Sequence, residues 1–277
     1  ASALAYPRAG EVPQLATEAE ALEFLDRARR QAQMAQLRRQ LALVEFRNHP
    51  FLHHGISIAR YDALQGTDWG AADLWALLGW LERSDAVRGR LAELAQAGLP
   101  EGIAAHVQAM LRVVQAGHQP LNTNPSFEEG ADAQAAGYSY WLQDNVGRLM
   151  RSEQAAYSGN FGLIAEGVQY GGPHQSIEFA PGRYCLIVRL FAPEGQQEGG
   201  FVDLSLRALN EANQNLPKGA NTTVIPTPGQ WQVFATCMDV REPPAGAVRI
   251  RAGVWMRDYP PGKRVYLDDM QLIRLDD

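Results

Sequence analysis

Long apolar runs, basic charge and cysteine are all scarce in this chain of 277 residues. Each scarcity closes off a class of function. No uninterrupted apolar stretch approaches the ~18 residues of a membrane-crossing helix, so no membrane span is expected. Acidic side chains (31) outnumber Lys and Arg (25), which leaves a net charge of −6. Binding nucleic acid requires a basic face that neutralises phosphates, so no nucleic-acid partner is expected. A neutral polysaccharide asks for no such charge. Also missing are Gly-x-Ser-x-Gly, His-Glu-x-x-His, a P-loop and a Gly-x-Gly-x-x-Gly following a strand.

Cys185 and Cys237 are the only cysteines, and both lie in strand-like runs. A disulfide between strands, suited to an extracellular protein, and two buried thiols acting as small apolar residues are both open. The start Ala1-Ser-Ala-Leu-Ala lacks the charged and apolar regions of a signal peptide. The expectation is that a leader was removed or that the chain belongs to something longer.

What is present describes two globular domains, with 46% hydrophobic and 20% charged residues. Residues 1–119 are expected to form a small helical bundle and residues 120–277 a β-sandwich. Thr17-Glu-Ala-Glu20 fits a capping box, and Ala21, Leu22, Leu25, Ala28 and Ala32 follow at helical spacing. Pro50 and Gly55 break the pattern around Asn48–Gly55. Further helices are expected over 71–82, 85–97 and from Pro100 to Gly117, with Trp75 on the buried stripe and Trp80 off it. Arg27, Arg29, Arg30, Arg38 and Arg39 read as a solvated helix face; Trp69, Trp75 and Trp80 invite a cofactor, but core spacing makes packing the default reading for Trp75. His49, His53 and His54 have no clear carboxylate partner and read as loop residues rather than a metal site.

Beyond His118 glycine and proline thicken, and short alternating runs recur. Strands are expected at 161–165, 175–178, 184–191, 201–209, 222–225, 231–239, 247–255 and 264–274. Many short strands separated by turn signals imply a sandwich or jelly roll.

The two ends of that region carry motifs. Asn122-Thr-Asn-Pro-Ser-Phe-Glu-Glu-Gly130 opens it and Val265-Tyr-Leu-Asp-Asp-Met-Gln-Leu272 closes it. Between them stand Tyr157–Leu163, Phe179–Tyr184 and Pro228–Phe234 in order. In these motifs residues 122–277 resemble jelly-roll carbohydrate-binding modules of the family 4/9 type. The resemblance implies binding of a polysaccharide or oligosaccharide and a structural calcium. Glu128 and Asp268 would be the ion's side-chain ligands; the alternative is that Asp268 hydrogen-bonds a neighbouring loop. Alternation sets Tyr266, Asp268, Met270 and Leu272 on one face, with Asp268 pointing inward. Trp141 and Trp231 match family positions that pack in the core.

Sugar recognition stacks an aromatic ring on a pyranose and hydrogen-bonds its hydroxyls. The candidates for such a face are Tyr140, Tyr170, His174, Gln175, Trp255, Arg257 and Tyr259, with Tyr170–Gln175 read as a flexible loop. No carboxylate pair stands out for glycoside hydrolysis. The expected function is therefore non-catalytic glycan binding by a secreted or periplasmic protein, as the accessory C-terminal region of a glycoside hydrolase with a catalytic domain upstream. A jelly roll that serves structure or protein interaction, and a hydrolase or lyase with a site between the domains, are the alternatives.

Overall fold

Local signals account for where the helices begin. In the computed structural model, which describes residues 15–30, 73–99, 101–115 and 117–276, Thr17 and Glu20 close the expected capping box. The Thr17 amide donates to Glu20 Oε2 at 2.9 Å and the Glu20 amide to Thr17 Oγ1 at 3.2 Å. Helix α1 is described over 18–30. A 3₁₀ turn (Asp73–Leu77) runs into α2 (Leu78–Arg83), followed by α3 (Asp85–Ala95) and α4 (Glu101–Val113). Ser84 caps α3 by accepting from the Val87 amide at 3.1 Å.

Leu74, Trp75, Leu77, Leu78, Leu81, Val87, Leu91, Leu94, Val107 and Met110 form the buried stripe of this unit. Trp75 is wholly buried, and its indole N–H meets His106 Nδ1 at 3.2 Å. Trp80, off the stripe, donates to the Leu15 carbonyl at 2.6 Å and lies under the Arg83 guanidinium. Arg27, Arg29 and Arg30 are exposed, as a solvated face requires. The Asn48–Gly55 break, His49, His53, His54, Trp69, Arg38 and Arg39 lie outside the described residues.

A second compact unit begins at Gln119. After a small hairpin of β1 (Gly130–Ala131) and β2 (Gln134–Ala135) come β3 (Ser139–Leu142), β4 (Arg148–Ser152), β5 (Gly162–Glu166) and β6 (Tyr170–Glu178). The chain continues through β7 (Arg183–Phe191), β8 (Phe201–Leu209), β9 (Asn215–Val224), β10 (Trp231–Asp239), β11 (Arg249–Arg257) and β12 (Arg264–Arg274). Two five-stranded antiparallel sheets result: β10-β7-β12-β5-β4 (sheet I) and β3-β6-β11-β8-β9 (sheet II). A helical bundle followed by a jelly-roll β-sandwich is the expected architecture.

Alternation fills the space between the sheets. Val202, Leu204, Leu206, Ile250, Val254 and Met256 from sheet II meet Leu163, Tyr184, Leu186, Val188, Leu190, Val265 and Leu267 from sheet I. Each such side chain contributes roughly 1.5–3 kcal/mol on burial. Cys185 and Cys237 stand directly opposite one another on β7 and β10 and form a disulfide.

Strands β1 to β4 are not among those expected, and three of the others depart from their expected form. The glycines and proline of Tyr170–Gln175 belong to β6 rather than to a flexible loop. β9 runs back to Asn215 through Pro217 and Gly219, residues that an edge strand tolerates. In β12 a bulge between Asp268 and Gln271, with Asp269 at φ 48°, interrupts the alternation. Leu267 therefore faces the core on one side of the bulge, and Met270 and Leu272 face it on the other. Tyr266 and Asp268 share the opposite face of sheet I, where Tyr266 stacks on Phe191 at 5.7 Å. Asp268 is buried, but away from the core. Trp231, expected in the core, is half-buried between Phe191 and Tyr157.

The opening segment is stitched to the closing strand. Leu121 N–H donates to the Leu272 carbonyl at 2.7 Å and Met270 N–H to the Pro125 carbonyl at 2.8 Å. The Asn122 side chain makes the central pair, donating to Met270 O at 2.8 Å and accepting from Leu272 N–H at 2.6 Å. Asn122→Ala strands both backbone groups in a buried place, at an expected cost of about 2–4 kcal/mol. Urea unfolding measures it, and a loss below about 0.5 kcal/mol would show that the stitch carries little.

Candidate functional site

Register decides what the face of sheet II turned away from the core can hold. Trp141 of β3 pairs with Gly172 of β6. The β6–β11 offset, with Gly253 opposite His174 and Arg257 opposite Tyr170, sets Trp255 across the same glycine. A Cβ at Gly172 would lie 1.8 Å from the Val254 carbonyl oxygen, so the position admits no side chain. The two indoles close over the gap, with ring centroids 6.2 Å apart at 75°. Tyr170 completes the cluster at 5.1 Å from Trp141 and 6.3 Å from Trp255. On the other side His174 stacks on Trp255 at 5.3 Å. The Trp255 indole lies along its own strand, so a Cβ at Gly253 would come within 2.7 Å of the ring. Trp141 is 43% exposed, which makes it the ring most open to solvent in the cluster.

Polar groups rim these rings. The Arg257 guanidinium sits 4.1 Å over Tyr170, and its Nε lies 2.6 Å from Asp203 Oδ2. That approach is off the N–H direction, so it is an ion pair rather than an aligned hydrogen bond. Asp203 also accepts from Thr223 Oγ1. Beside Tyr170 and Arg257 lies a cavity of about 170 Å³ that Gln143, Gln169 and Asp258 complete. There Gln169 donates to Asp258 Oδ1 at 2.6 Å. Burial, and then the charge of Arg251, hold His174 below the usual histidine range, so its ring is neutral at pH 7.

Of the residues singled out in the sequence, Tyr170, His174, Trp255 and Arg257 come together here. Three do not. Tyr140 packs half-buried against the core, and its hydroxyl accepts from the Ala135 amide at 3.0 Å. Gln175 points the other way from His174; it is 8% exposed and bonds the Thr123 backbone through both its amide atoms. Tyr259 is a core residue, 4% exposed, because Asp258 at φ 55° breaks the alternation and turns it inward.

Trp141 is the residue that sequence reading misplaced. Alternation along Tyr138-Ser-Tyr-Trp141 puts Tyr138 and Tyr140 on one face and Trp141 on the other. It is the tyrosine face that turns to the core, where Tyr138 packs tilted on Phe127 at 4.7 Å. The signal that could have found it is Gly171-Gly172, an empty stretch of strand over which neighbouring rings can lie.

Glu128 and Asp268 occupy a second locality. Asp268 Oδ2 accepts from the Tyr157 and Ser158 amides at 2.7 and 3.1 Å, and Oδ1 from the Asp269 amide at 2.7 Å. Glu128 Oε1 accepts from the Asn160 and Phe161 amides at 2.8 and 3.0 Å. The carboxylates thus clasp one loop, 157–161, from its two ends. Among the described residues neither belongs to a group of three or more side-chain ligands. As hard oxygen donors, one of them fully buried, they suit calcium in chemistry, and Glu128 Oε2 makes no hydrogen bond among the described residues.

No protein-family model matches the chain, and no curated protein matches it. Among solved structures it is similar to the carbohydrate-binding module TmCBM61 in complex with β-1,4-galactotriose. Identity is 15% over 57% of this chain and 99% of that one, with a TM-score of 0.41. It is similar to a family 16 carbohydrate-binding module at 18% identity, over 55% and 99% of the two chains, TM-score 0.41. It is also similar to a cyclase from Fischerella sp. TAU in complex with 4-(1H-indol-3-yl)butan-2-one, at 12% identity over 56% and 96%, TM-score 0.43.

Burial, and then the neighbouring charge of Asp269, raise Asp268 from 3.8 to about 7. A carboxyl group whose folded pKa is raised binds its proton more tightly in the folded state. Stability is therefore expected to rise as the pH falls from about 7 toward 4, and to be lost as pH climbs through 7. Urea unfolding at pH 5 and 7.5 in EDTA checks this: Asp268→Asn should remove that part of the pH dependence. Parallel wild-type and variant profiles would show that the group does not titrate there.

Proposed function

We propose that residues 120–277 are a carbohydrate-binding module that holds a polysaccharide or oligosaccharide on the outer face of sheet II and breaks no bond in it. One observation carries the reading: Trp141, Tyr170 and Trp255 meet on a sheet face with Trp141 exposed, rimmed by Arg257, Asp203 and Gln169. Aromatic faces stack on the apolar side of a pyranose, while the polar rim suits its hydroxyls. The nearby carboxylates are already engaged, Asp203 by Arg257 and Asp258 by Gln169, which suits orientation of a ligand better than proton transfer.

The disulfide supports a secreted or periplasmic location, where such bonds persist. A module of this kind, next to a catalytic domain, raises the local concentration of polysaccharide. We assign it such an accessory role in a glycoside hydrolase. A calcium held by Glu128 and Asp268 would reinforce the clasp on loop 157–161 by neutralising two carboxylates at once.

Affinity electrophoresis through gels containing a panel of polysaccharides tests the main reading. At least one should retard the chain, and Trp141→Ala or Trp255→Ala should each weaken that binding about tenfold or more. Tyr140→Phe should bind as wild type does. The reading is lost if no glycan retards the wild-type chain. For the ion, the midpoint of thermal unfolding should fall on adding EDTA and return with excess calcium; an unchanged midpoint would mean that the amide clasp acts alone.

A further inference from the structure

The same face of sheet II that carries the aromatic rings ends in an arrangement that costs stability. β8 and β11 pair so that Arg207 stands directly opposite Arg251. Like charges in that relation repel. Positions 251, 253 and 255 share one face of β11, so the arginines look out on the Trp255 side.

The chain is acidic overall, with 31 Asp and Glu residues, yet among the described residues none is paired with either guanidinium. Among the described residues Arg207 makes no hydrogen bond or ion pair. Its guanidinium lies over Gly219, where a Cβ would collide with Nη1. Among the described residues the Arg251 guanidinium bonds only the neutral amide of Asn215, at 2.7 Å. Its neighbour on β6 is Ser176, and Glu178 stands opposite Arg249. Burial and the Arg207 charge both work against protonation of Arg251, and no carboxylate offsets them. Between this pair and Trp255 stand Gly253, Ser205 and His174, with the Trp255 indole lying back over Gly253 and the His174 ring stacked on it.

We propose that Arg207 and Arg251 receive an anionic group, a uronate carboxylate or a sulfate ester, of the glycan whose sugar rings lie against Trp255 and Trp141. This rests on the glycan-binding reading above and deepens it from glycans in general to acidic ones. A guanidinium fork offers paired donors to such an oxyanion, which a neutral hydroxyl does not use as well. The backbone of Arg251 stands four residues from Trp255 and from Trp141 level with it, ~13 Å along the strand, with the Trp255 indole reaching back over Gly253 between them. A ligand that touches Trp141 and the arginines is therefore an oligosaccharide.

The test is affinity electrophoresis of the full chain on polygalacturonate, alginate and glucuronoxylan, each beside its carboxyl-reduced form, and on dextran sulfate and carrageenan. At least one acidic polymer should retard the chain, and reduction of its carboxyls should weaken retention about tenfold or more. Arg207→Gln and Arg251→Gln should each lower that affinity by a similar factor, with a thermal midpoint equal to or above that of wild type. Retention by carrageenan but not by uronates, lost in both the arginine and tryptophan variants, supports the sulfate source. Binding of neutral polymers that depends on Trp255 and ignores both arginines overturns this inference and leaves the glycan reading standing. Retention by dextran sulfate that is indifferent to Trp255→Ala marks plain ion exchange and overturns it. Arginine variants that unfold at markedly lower temperature assign the pair to the fold and overturn it too. No retention by any polymer overturns both readings.

Discussion

Five residues, Leu121 to Pro125, tie the two sheets to one another through their backbone and one amide side chain. Asn122 bonds the two backbone groups that flank Gln271 on one edge of β12, the Met270 carbonyl and the Leu272 N–H, in sheet I. Thr123, next to it, is gripped by the Gln175 amide of β6 in sheet II. The segment thus bridges the central closing strand and the strand that carries Tyr170 and His174. Buried amides without partners are expensive, so these bonds specify one register at each end. The rest of the outer face takes its geometry from that register. Gln175 matters to the site as a brace behind His174.

Above that brace, missing side chains do as much as present ones. Gly172 leaves room for Trp141 and Trp255 to approach across β6, and Gly253 lets the Trp255 indole lie down along its strand. A sheet face with a side chain at every alternate position would push these rings upright and apart. Here they form a low, connected surface with Tyr170, bordered by ion-paired Arg257 and Asp203. Farther along β11 the arginines have no carboxylate partner among the described residues, and the face changes from aromatic and ion-paired to basic within four residues.

The clasp on loop 157–161 draws one carboxylate from the opening segment and one from the closing strand. Asp268 and Glu128 do join the two ends of the module, as their places in the opening and closing motifs imply. They do so by accepting backbone amides from one loop. Asp268 is buried as expected, but not beside Met270 and Leu272 as alternation implied: the bulge at Asp269 resets the alternation, and loop 157–161 receives its carboxylate on the other side of the sheet. Tyr259 escaped prediction for the same reason one strand earlier, where Asp258 takes a left-handed conformation. Single residues of positive φ flip everything downstream, and Asp gives no warning of it as glycine would.

Local pattern determined the order of architecture: helices, the first capped at Thr17, then strands whose alternating apolar residues had to meet between two sheets. It also determined which residues share a face, as with Tyr138 and Tyr140 against Trp141. Which of those faces turned to the core was decided only by tertiary packing, since both carry large aromatic side chains and either burial would satisfy the local pattern. The meeting of Trp141, Tyr170 and Trp255, the opposition of Arg207 and Arg251, and the pairing of Cys185 with Cys237 were likewise settled by strand register. Register is a property of neighbours distant in the chain, and it follows from the summed burial of whole strands rather than from any one residue.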